Sequence, residues 1–507
     1  MLNSLKISFK DTLIYGLGNI AVKIVGLVLI PLYTNPHFFS IDDFGIIGIL
    51  EISGLVLTAS MASALPQSLT RWFWDTKFKG NQKGIFFMTF ATQLVVSALF
   101  CIVLIPLSGE FSGLIFSKSD LSGVLKLVIL ASSIQSINNI ANTLMRLQSR
   151  SSLYTVTNLF KLILVLSLTI YFITVKKLGI EGIYLSQVIG NAVSILVLTK
   201  YIIRNSRIYF DTGIFRSMNS YGFPLFLANI SSVLLNVIDR YSLNSLAYLK
   251  SVALYTLAFK ITSVLKLAIA DSMKLALGPM MLKKIGSPDI KRFYSKVLVY
   301  SSYVLMFAIV GVSLLSFELI KVMANSKQFW DAVVIIPILS LSIYFVNLKD
   351  VTIYGLHVVK KTRVIGVIVV FSSVLSLCLN LLLIPVWDIT GSAVATLISQ
   401  LAYFYACYYF SQRVFYVPYE LKKIFILLFV GGIISFSGLL INHMDLLPRL
   451  FLKAGLILSF PFILVLFRFY EPEELSAIRG FFRKWSRLSM LGENIRSLKN
   501  IPDELQE

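Results

Sequence analysis

Tyr221–Ile261 reads YGFPLFLANISSVLLNVIDRYSLNSLAYLKSVALYTLAFKI: two long apolar runs joined by a short polar link, with Asp239 and Arg240 at the hinge. The layout repeats one that opens the chain. Leu13–Leu50 reads LIYGLGNIAVKIVGLVLIPLYTNPHFFSIDDFGIIGIL, where Tyr15-Gly16 matches Tyr221-Gly222 and Gly45 falls close to the place of Ala253. A second pair of landmarks keeps nearly the same spacing. LGIEG at Leu178–Gly182 precedes one apolar run and WDITG at Trp387–Gly391 precedes another. Gly182 and Gly391 are read as the points where a short loop turns sharply into a helix, a task suited to a residue without a Cβ. The repeat predicts two related lobes with the functional site between them.

Composition sets the class. Of 507 residues, 57% are hydrophobic and 14% charged, and the mean hydropathy is +0.81. Soluble domains carry about 25% charged residues. Runs of about 20 apolar residues, the length a helix needs to cross hydrocarbon, recur throughout. The expected fold is an all-α polytopic membrane protein with about fourteen transmembrane helices.

The expected spans are 13–33, 44–65, 85–105, 121–147, 153–175, 180–203, 221–238, 252–274, 297–319, 333–347, 364–383, 391–410, 424–441 and 452–467. They divide into a six-helix lobe over 1–205, a second over 206–415, a terminal helix pair over 416–470 and a basic tail over 471–507. The first span carries Lys23 and runs into Pro31 and Tyr33, which is unlike a cleaved signal peptide.

The net charge of +21 is distributed in alternate loops rather than in one patch, which argues against nucleic acid as a partner. RWFWDTKFKGNQK, RLQSRSS, KYIIRNSR, LKKIGSPDIKRFYSK and VVKKTR are basic, whereas TNPHFFSIDD and SGEFSGLIFSKSD hold few Lys or Arg. About thirty basic residues on one side against about eight on the other place both termini in the cytoplasm. Cys101, Cys378 and Cys407 lie inside apolar runs without metal or disulfide spacing and are expected to be packing residues. His37, His357 and His443 form no ligand cluster, so no metal and no cofactor are expected.

The informative residues are polar groups inside the spans, where they are costly and normally face a bundle interior or a watery cavity. Gln135, Asn139, Asn142 and Arg146 follow a four-three-four spacing that lines one narrow helix face. Inter-helix hydrogen bonding alone accounts for one or two such groups, and four favour a cavity lining. Lys260, Asp271 and Lys274 share a face of the eighth span, with Lys260 deepest. Asn229, Asn236 and Arg240 align in the seventh beside Asp239, which reads equally as a local outer-surface ion pair or as part of a site. Asn19, Lys23, Glu51, Asn158 and Lys161 complete the set, which has more cations than anions.

With these stretches in view, the chain resembles the Wzx-type oligosaccharide-lipid flippases of the polysaccharide-biosynthesis branch of the MATE-like (MOP) superfamily. IYGLGNIAVKIVGLVLIPLYTN, DDFGIIGILE, IDRYSLN, VALYTLAFKI and LIPVWDITGSAVATLIS carry the likeness over nearly the whole length. The resemblance implies two six-helix lobes around a central cavity plus a terminal helix pair. It implies translocation of undecaprenyl-diphosphate-linked sugar repeat units between the leaflets of a bacterial inner membrane, for O-antigen, capsule or exopolysaccharide. The family's basic cavity residues fall by position on Lys23, Arg146, Lys161, Arg240 and Lys260. The expected substrate site is Lys23, Gln135, Asn139, Asn142, Arg146, Lys161, Asn236, Arg240 and Lys260, with Glu51 and Asp239 as candidate coupling groups.

Arg and Lys suit diphosphate oxygens, and Asn, Gln, Ser and Tyr suit sugar hydroxyls. A monomer suffices for such a cavity, and contact with polymerase or chain-length machinery is compatible with the role. A drug/cation antiporter of the same fold would favour acidic cavity groups. A membrane glycosyltransferase would need an acid/base pair or a nucleotide loop, and neither appears. A lipid II flippase would differ only in cargo.

Overall fold

The computed structural model describes residues 26–75, 80–116, 121–472 and 474–476. The described residues are helical with no β-strand, in keeping with the expected class. We label the principal helices α1 (Ile41–Ala62), α2 (Leu65–Phe73), α3 (Gln82–Leu104), α4 (Ser108–Phe116), α5 (Ser122–Leu147), α6 (Ser151–Thr174) and α7 (Gly179–Arg204). The second half holds α8 (Thr212–Leu235), α9 (Ile238–Leu246), α10 (Leu249–Leu265), α11 (Ser272–Lys283), α12 (Ile290–Leu314), α13 (Ser316–Met323), α14 (Ile336–Thr352) and α15 (Thr362–Val414). The terminal pair is α16 (Leu421–Ile441) and α17 (Leu446–Leu466).

Eleven helices among the described residues are long and apolar enough to cross a membrane, or twelve if the bent pair α8–α9 is one span. The expected count of fourteen differs for two reasons. The run forming α15 takes up two expected spans, because its two halves meet at Asp388 without a loop. The expected first span, 13–33, lies largely outside the described residues, as do Asn19, Lys23 and nearly all of the basic tail.

Helix starts follow local chemistry. At α1 the Ser40 hydroxyl accepts from the Asp43 amide at 3.1 Å while the Ser40 amide donates to the Asp43 carboxylate at 2.8 Å, a reciprocal cap. Asp211 caps α8 by accepting from the Ile214 amide at 2.9 Å.

Several expected spans are broken. Between α1 and α2 both Ser63 and Ala64 are left-handed, and Pro66 follows. The second half breaks its corresponding helix differently, through a π-helical turn at Lys266–Asp271 between α10 and α11. The chain bends by 51° between α8 and α9, beside Asn236.

The corner glycines work otherwise than expected. The left-handed residues at the two corners are Lys177 (φ 55°) and Gly179 (φ 56°) at the first and Asp388 (φ 47°) at the second, not Gly182 and Gly391. Gly182 and Gly391 instead allow close packing: an added Cβ would sit 2.8 Å from the Phe172 Cβ and 2.3 Å from the Leu383 carbonyl oxygen, respectively.

The middle of the molecule is the contact between α1 and α10. Both are buried on all sides over one stretch, α1 from Phe44 to Leu50 and α10 from Ser251 to Ala258. They approach closely because α1 is small where it faces α10. A Cβ on Gly45 would lie 2.3 Å from the Leu249 carbonyl oxygen, and one on Gly48 would lie 2.5 Å from the Thr256 hydroxyl. Further bonds join the halves at one end of the bundle. Asn325 donates to the Pro31 carbonyl (2.8 Å), Asn244 donates to the Ile115 carbonyl (2.6 Å), and Phe44 meets Phe329 edge to face. α3, α6 and α17 leave rows of large apolar side chains exposed, such as Ile102, Val156 and Phe451, as bilayer-facing helices do. Cys378 is exposed rather than packed, whereas Cys407 is buried.

Candidate functional site

The polar stripe on α5 forms as its spacing requires. Gln135, Asn139 and Asn142 are part-exposed along one face, Arg146 stands exposed at its end, and the apolar remainder packs inward. Each member except Arg146 is tied to a neighbour. Gln135 donates to the Asn139 side-chain oxygen at 2.9 Å, and Asn158 of α6 donates to the Asn142 side-chain oxygen at 3.3 Å. Lys161 of α6 spans the group, donating to Gln135 Oε1 at 2.9 Å and to Asn191 Oδ1 of α7 at 3.3 Å. Both partners are neutral amide oxygens, so the ammonium is held in place without being neutralised. Arg146 donates to Thr143 of its own helix at 3.1 Å and is otherwise free to reach outward among the described residues. Two uncompensated cations in a row of amides make a surface for an anion flanked by hydroxyl-rich groups.

The remaining expected cations arrive paired. Lys260 on α10 meets Glu51 on α1 at 2.6 Å, across the central contact, with the Tyr33 and Phe44 rings beside its ammonium. Two residues further along α1, the Ser53 hydroxyl lies 2.8 Å from the Tyr241 hydroxyl of α9. Glu51 and Lys260 stand 209 residues apart, nearly the spacing of the sequence repeat, so each half supplies one partner from a corresponding place. An ion pair of this kind ties the halves together only while the closed contact persists.

Asp239 and Arg240 are not an outer-surface pair. Both are buried at the α8–α9 bend, because the 51° turn folds α9 inward against α10 and α15. The Tyr255 hydroxyl donates to Asp239 at 2.6 Å and lies 3.0 Å from the Thr396 hydroxyl. The Arg240 guanidinium lies 3.6 Å from the Asp239 carboxylate, donates to the Asn236 carbonyl at 2.6 Å, and sits 4.3 Å over the Phe259 ring. Asn236 spends its amide on the Ser232 carbonyl. This knot braces the bend rather than presenting a free cation.

The shared face expected for Lys260, Asp271 and Lys274 is not kept. A π-helical turn takes up an extra residue, so positions before and after Lys266–Asp271 lose the ordinary 3.6-residue register. Lys260 goes to Glu51, and Lys274 goes to Asp350 at 3.3 Å.

Asn191 and the Lys349–Asp350 pair escape a reading of the sequence. Asn191 lies in a small-residue stretch and gains meaning only from Lys161. Ending the tenth span at Asn347 leaves Lys349 and Asp350 in a loop, whereas α14 continues to Thr352. No group of three or more His, Cys, Asp or Glu able to hold a metal occurs among the described residues.

A family model described as polysaccharide biosynthesis protein matches residues 8–284, more than half of the chain. The chain belongs to the polysaccharide biosynthesis protein family. Solved structures similar to this family member are membrane transporters. One, titled a lipid II flippase MurJ in an inward closed conformation, aligns with TM-score 0.72 at 16% identity, covering 89% of this chain and 98% of the other. Another, an inward-facing multidrug resistance MATE family transporter of the MOP superfamily, aligns with TM-score 0.65 at 13% identity, covering 81% and 94%. The Vibrio cholerae MATE transporter VcmN in a bent form aligns with TM-score 0.55 at 15% identity, covering 83% and 98%. At these identities the likeness is one of fold, and it makes this polysaccharide biosynthesis protein a multi-pass membrane protein of MATE-like architecture. Comparison with curated protein sequences gives no match.

Proposed function

We propose that the protein is a flippase that moves undecaprenyl-diphosphate-linked oligosaccharide repeat units from the cytoplasmic to the outer leaflet of a bacterial inner membrane. The observation that carries this reading is the Lys161–Arg146 stripe, two cations without carboxylate partners among the described residues, set among Gln135, Asn139, Asn142 and Asn158. A diphosphate cannot cross hydrocarbon unaided, and paired Lys and Arg supply the charge it needs. The amides supply partners for sugar hydroxyls, and the polyprenyl chain stays in the bilayer while the head group passes between the lobes.

In this mechanism the two six-helix lobes rock about the α1–α10 contact to alternate access. Glu51–Lys260 holds the contact shut, and an arriving phosphate competes with Glu51 for Lys260. Asp239 and Arg240 steady the α8–α9 bend as it moves. Both termini lie in the cytoplasm, with the basic loops. The uncompensated charge is positive, which disfavours the cationic substrate of a drug antiporter.

The deciding experiment is lipid and glycan analysis of cells lacking the protein. Lipid-linked repeat units held on the cytoplasmic face, with loss of surface polymer, are expected, and their sugars identify the cargo. Accumulated lipid II would move the assignment to that cargo, and unchanged surface glycans with new drug sensitivity would replace it with antiport.

A further inference from the structure

The second half holds a small open cleft that the stripe does not use. It lies between α11, α12 and α14, its walls are mostly apolar, and Lys274, Ser301, Asn347, Asp350 and Tyr354 are its polar members. Asn347 and Asp350 repeat the three-residue step from Asn139 to Asn142, in the helix that occupies the corresponding place of its half, and Tyr354 follows just past the end of that helix. The charge is arranged differently. Where the first half has Asn142, the second has Asp350, and two lysines converge on one oxygen of it: Lys349 at 2.8 Å and Lys274 at 3.3 Å.

Those two lysines are not equivalent. Lys349 is mostly covered, with its ammonium 4.8 Å from the centre of the Tyr403 ring, and has the shorter contact. Lys274 is half exposed at the pocket mouth and has the longer one. One carboxylate shared by two ammonium groups leaves a positive charge, and that surplus sits on the lysine able to move. When Lys274 turns to an incoming anion, Asp350 keeps Lys349 and is not left as a bare buried charge, the costly outcome that would otherwise oppose binding. Asn347, whose amide donates to the Ser301 hydroxyl at 3.1 Å, offers a fixed polar wall behind the mouth. The π-helical turn just before α11 lets Lys274 depart from the line of α10, and such turns often occur at functional sites.

We propose that this pocket is an anion site taking the phosphate group of a lipid, with Lys274 as the binding cation and Lys349 as the counter-ion that releases it. The phosphate belongs to a polyprenyl carrier or to an anionic bilayer phospholipid, and both present the same chemistry to Lys274. The site goes beyond the flippase reading and does not depend on it, since a resident phospholipid would fill it in any transporter of this fold.

The test is native mass spectrometry of the detergent-solubilised full chain titrated with undecaprenyl phosphate, phosphatidylglycerol or phosphatidylcholine. Wild type is expected to retain at least one of the two anionic lipids roughly tenfold more tightly than phosphatidylcholine, the size of effect one charge-assisted contact gives. Lys274→Gln should abolish the preference and Lys274→Arg should keep it. Because Lys274 is half exposed, both variants should fold, and an unchanged melting temperature checks this. Preference for undecaprenyl phosphate assigns the pocket to the carrier, and equal retention of phosphatidylglycerol assigns it to bilayer lipid. An anionic preference that survives Lys274→Gln, or no preference in wild type, overturns the proposal. Failure here leaves the accumulation of lipid-linked repeat units in deleted cells untouched as the separate test of the flippase reading.

Discussion

The two halves of the molecule use the same helix positions for different electrostatics. On α5 the polar face is neutral along its length and ends in Arg146, with Lys161 held by amide oxygens. On α14 the corresponding face carries Asp350, and its two lysines are already partly satisfied. The corners diverge in the same way. The first half turns through Lys177 at φ 55° and Gly179 at φ 56°, the second of which has no steric cost, while the second half turns through Asp388 at φ 47° and ψ −126°, a region that L-residues avoid. Asp388 accepts from the Ser251 hydroxyl at 2.9 Å, at the start of α10. A repeated backbone plan thus leaves the first half with cations held only by neutral groups and the second with two lysines sharing Asp350, of which only Lys274 is exposed enough to turn away.

The largest effect that bears on this contrast should come from the free cations. Arg146→Ala or Lys161→Met is expected to reduce polymer export roughly tenfold or more, by removing one charge-assisted contact to phosphate while leaving insertion intact. Measured against membrane levels of the protein, normal export from both variants would remove the stripe from the substrate path.

The central pair should respond next. Glu51→Gln or Lys260→Gln leaves a part-buried charge without its partner and should weaken the closed contact by on the order of 2 kcal/mol. Exchanging the two residues, with Glu51→Lys and Lys260→Glu together, should recover most of that loss. Cross-linking of cysteines introduced on either side of the contact reports the closed population. If the exchange recovers nothing, the pair is not what holds the halves.

Smaller effects separate the corners. Gly179→Asp lacks a hydroxyl partner equivalent to Ser251 and should destabilise the first half by about 1–2 kcal/mol. Asp388→Gly gains about as much from relieved strain as it loses from the Ser251 bond, so its net change should stay within about 1 kcal/mol. Equal losses at the two corners, read by thermal unfolding in detergent, would mean that Asp388 is not strained.

The smallest effect concerns the junction after the terminal pair, which packs against α12 of the second half. Hydrogen bonds from Lys296 and Lys423 pull the Glu471 carboxyl down from its ordinary 4.5 to about 2. A lowered acid favours the docked state when ionised. Its contribution is therefore complete above pH 4.5 and disappears as the pH falls towards about 2. Proteolysis beyond α17 should quicken over that acidic window in wild type, and Glu471→Gln should show the faster rate already at neutral pH.

Much of this was legible in the residues. The membrane class, most helix positions, the α5 stripe and the weight of the Tyr221–Ile261 stretch follow from apolar run length and helical spacing. These are properties of a chain reading itself locally, because a helix closes its own hydrogen bonds and fixes which side chains share a face. Partnership was not legible. That Lys260 is spent on Glu51 while Lys161 is left to amides, that Asp239–Arg240 is buried, and that Lys274 leaves the face of Lys260 all depend on how helices far apart in sequence meet. Similar polar spacings on α5 and α14 hold their charge differently, because Asp350 stands where α5 has Asn142 and because the neighbouring side chains differ. The sequence alone therefore determined which faces are polar, and the tertiary structure decided which of those charges remain free, since neutralisation is set by distance in space and not by spacing along the chain.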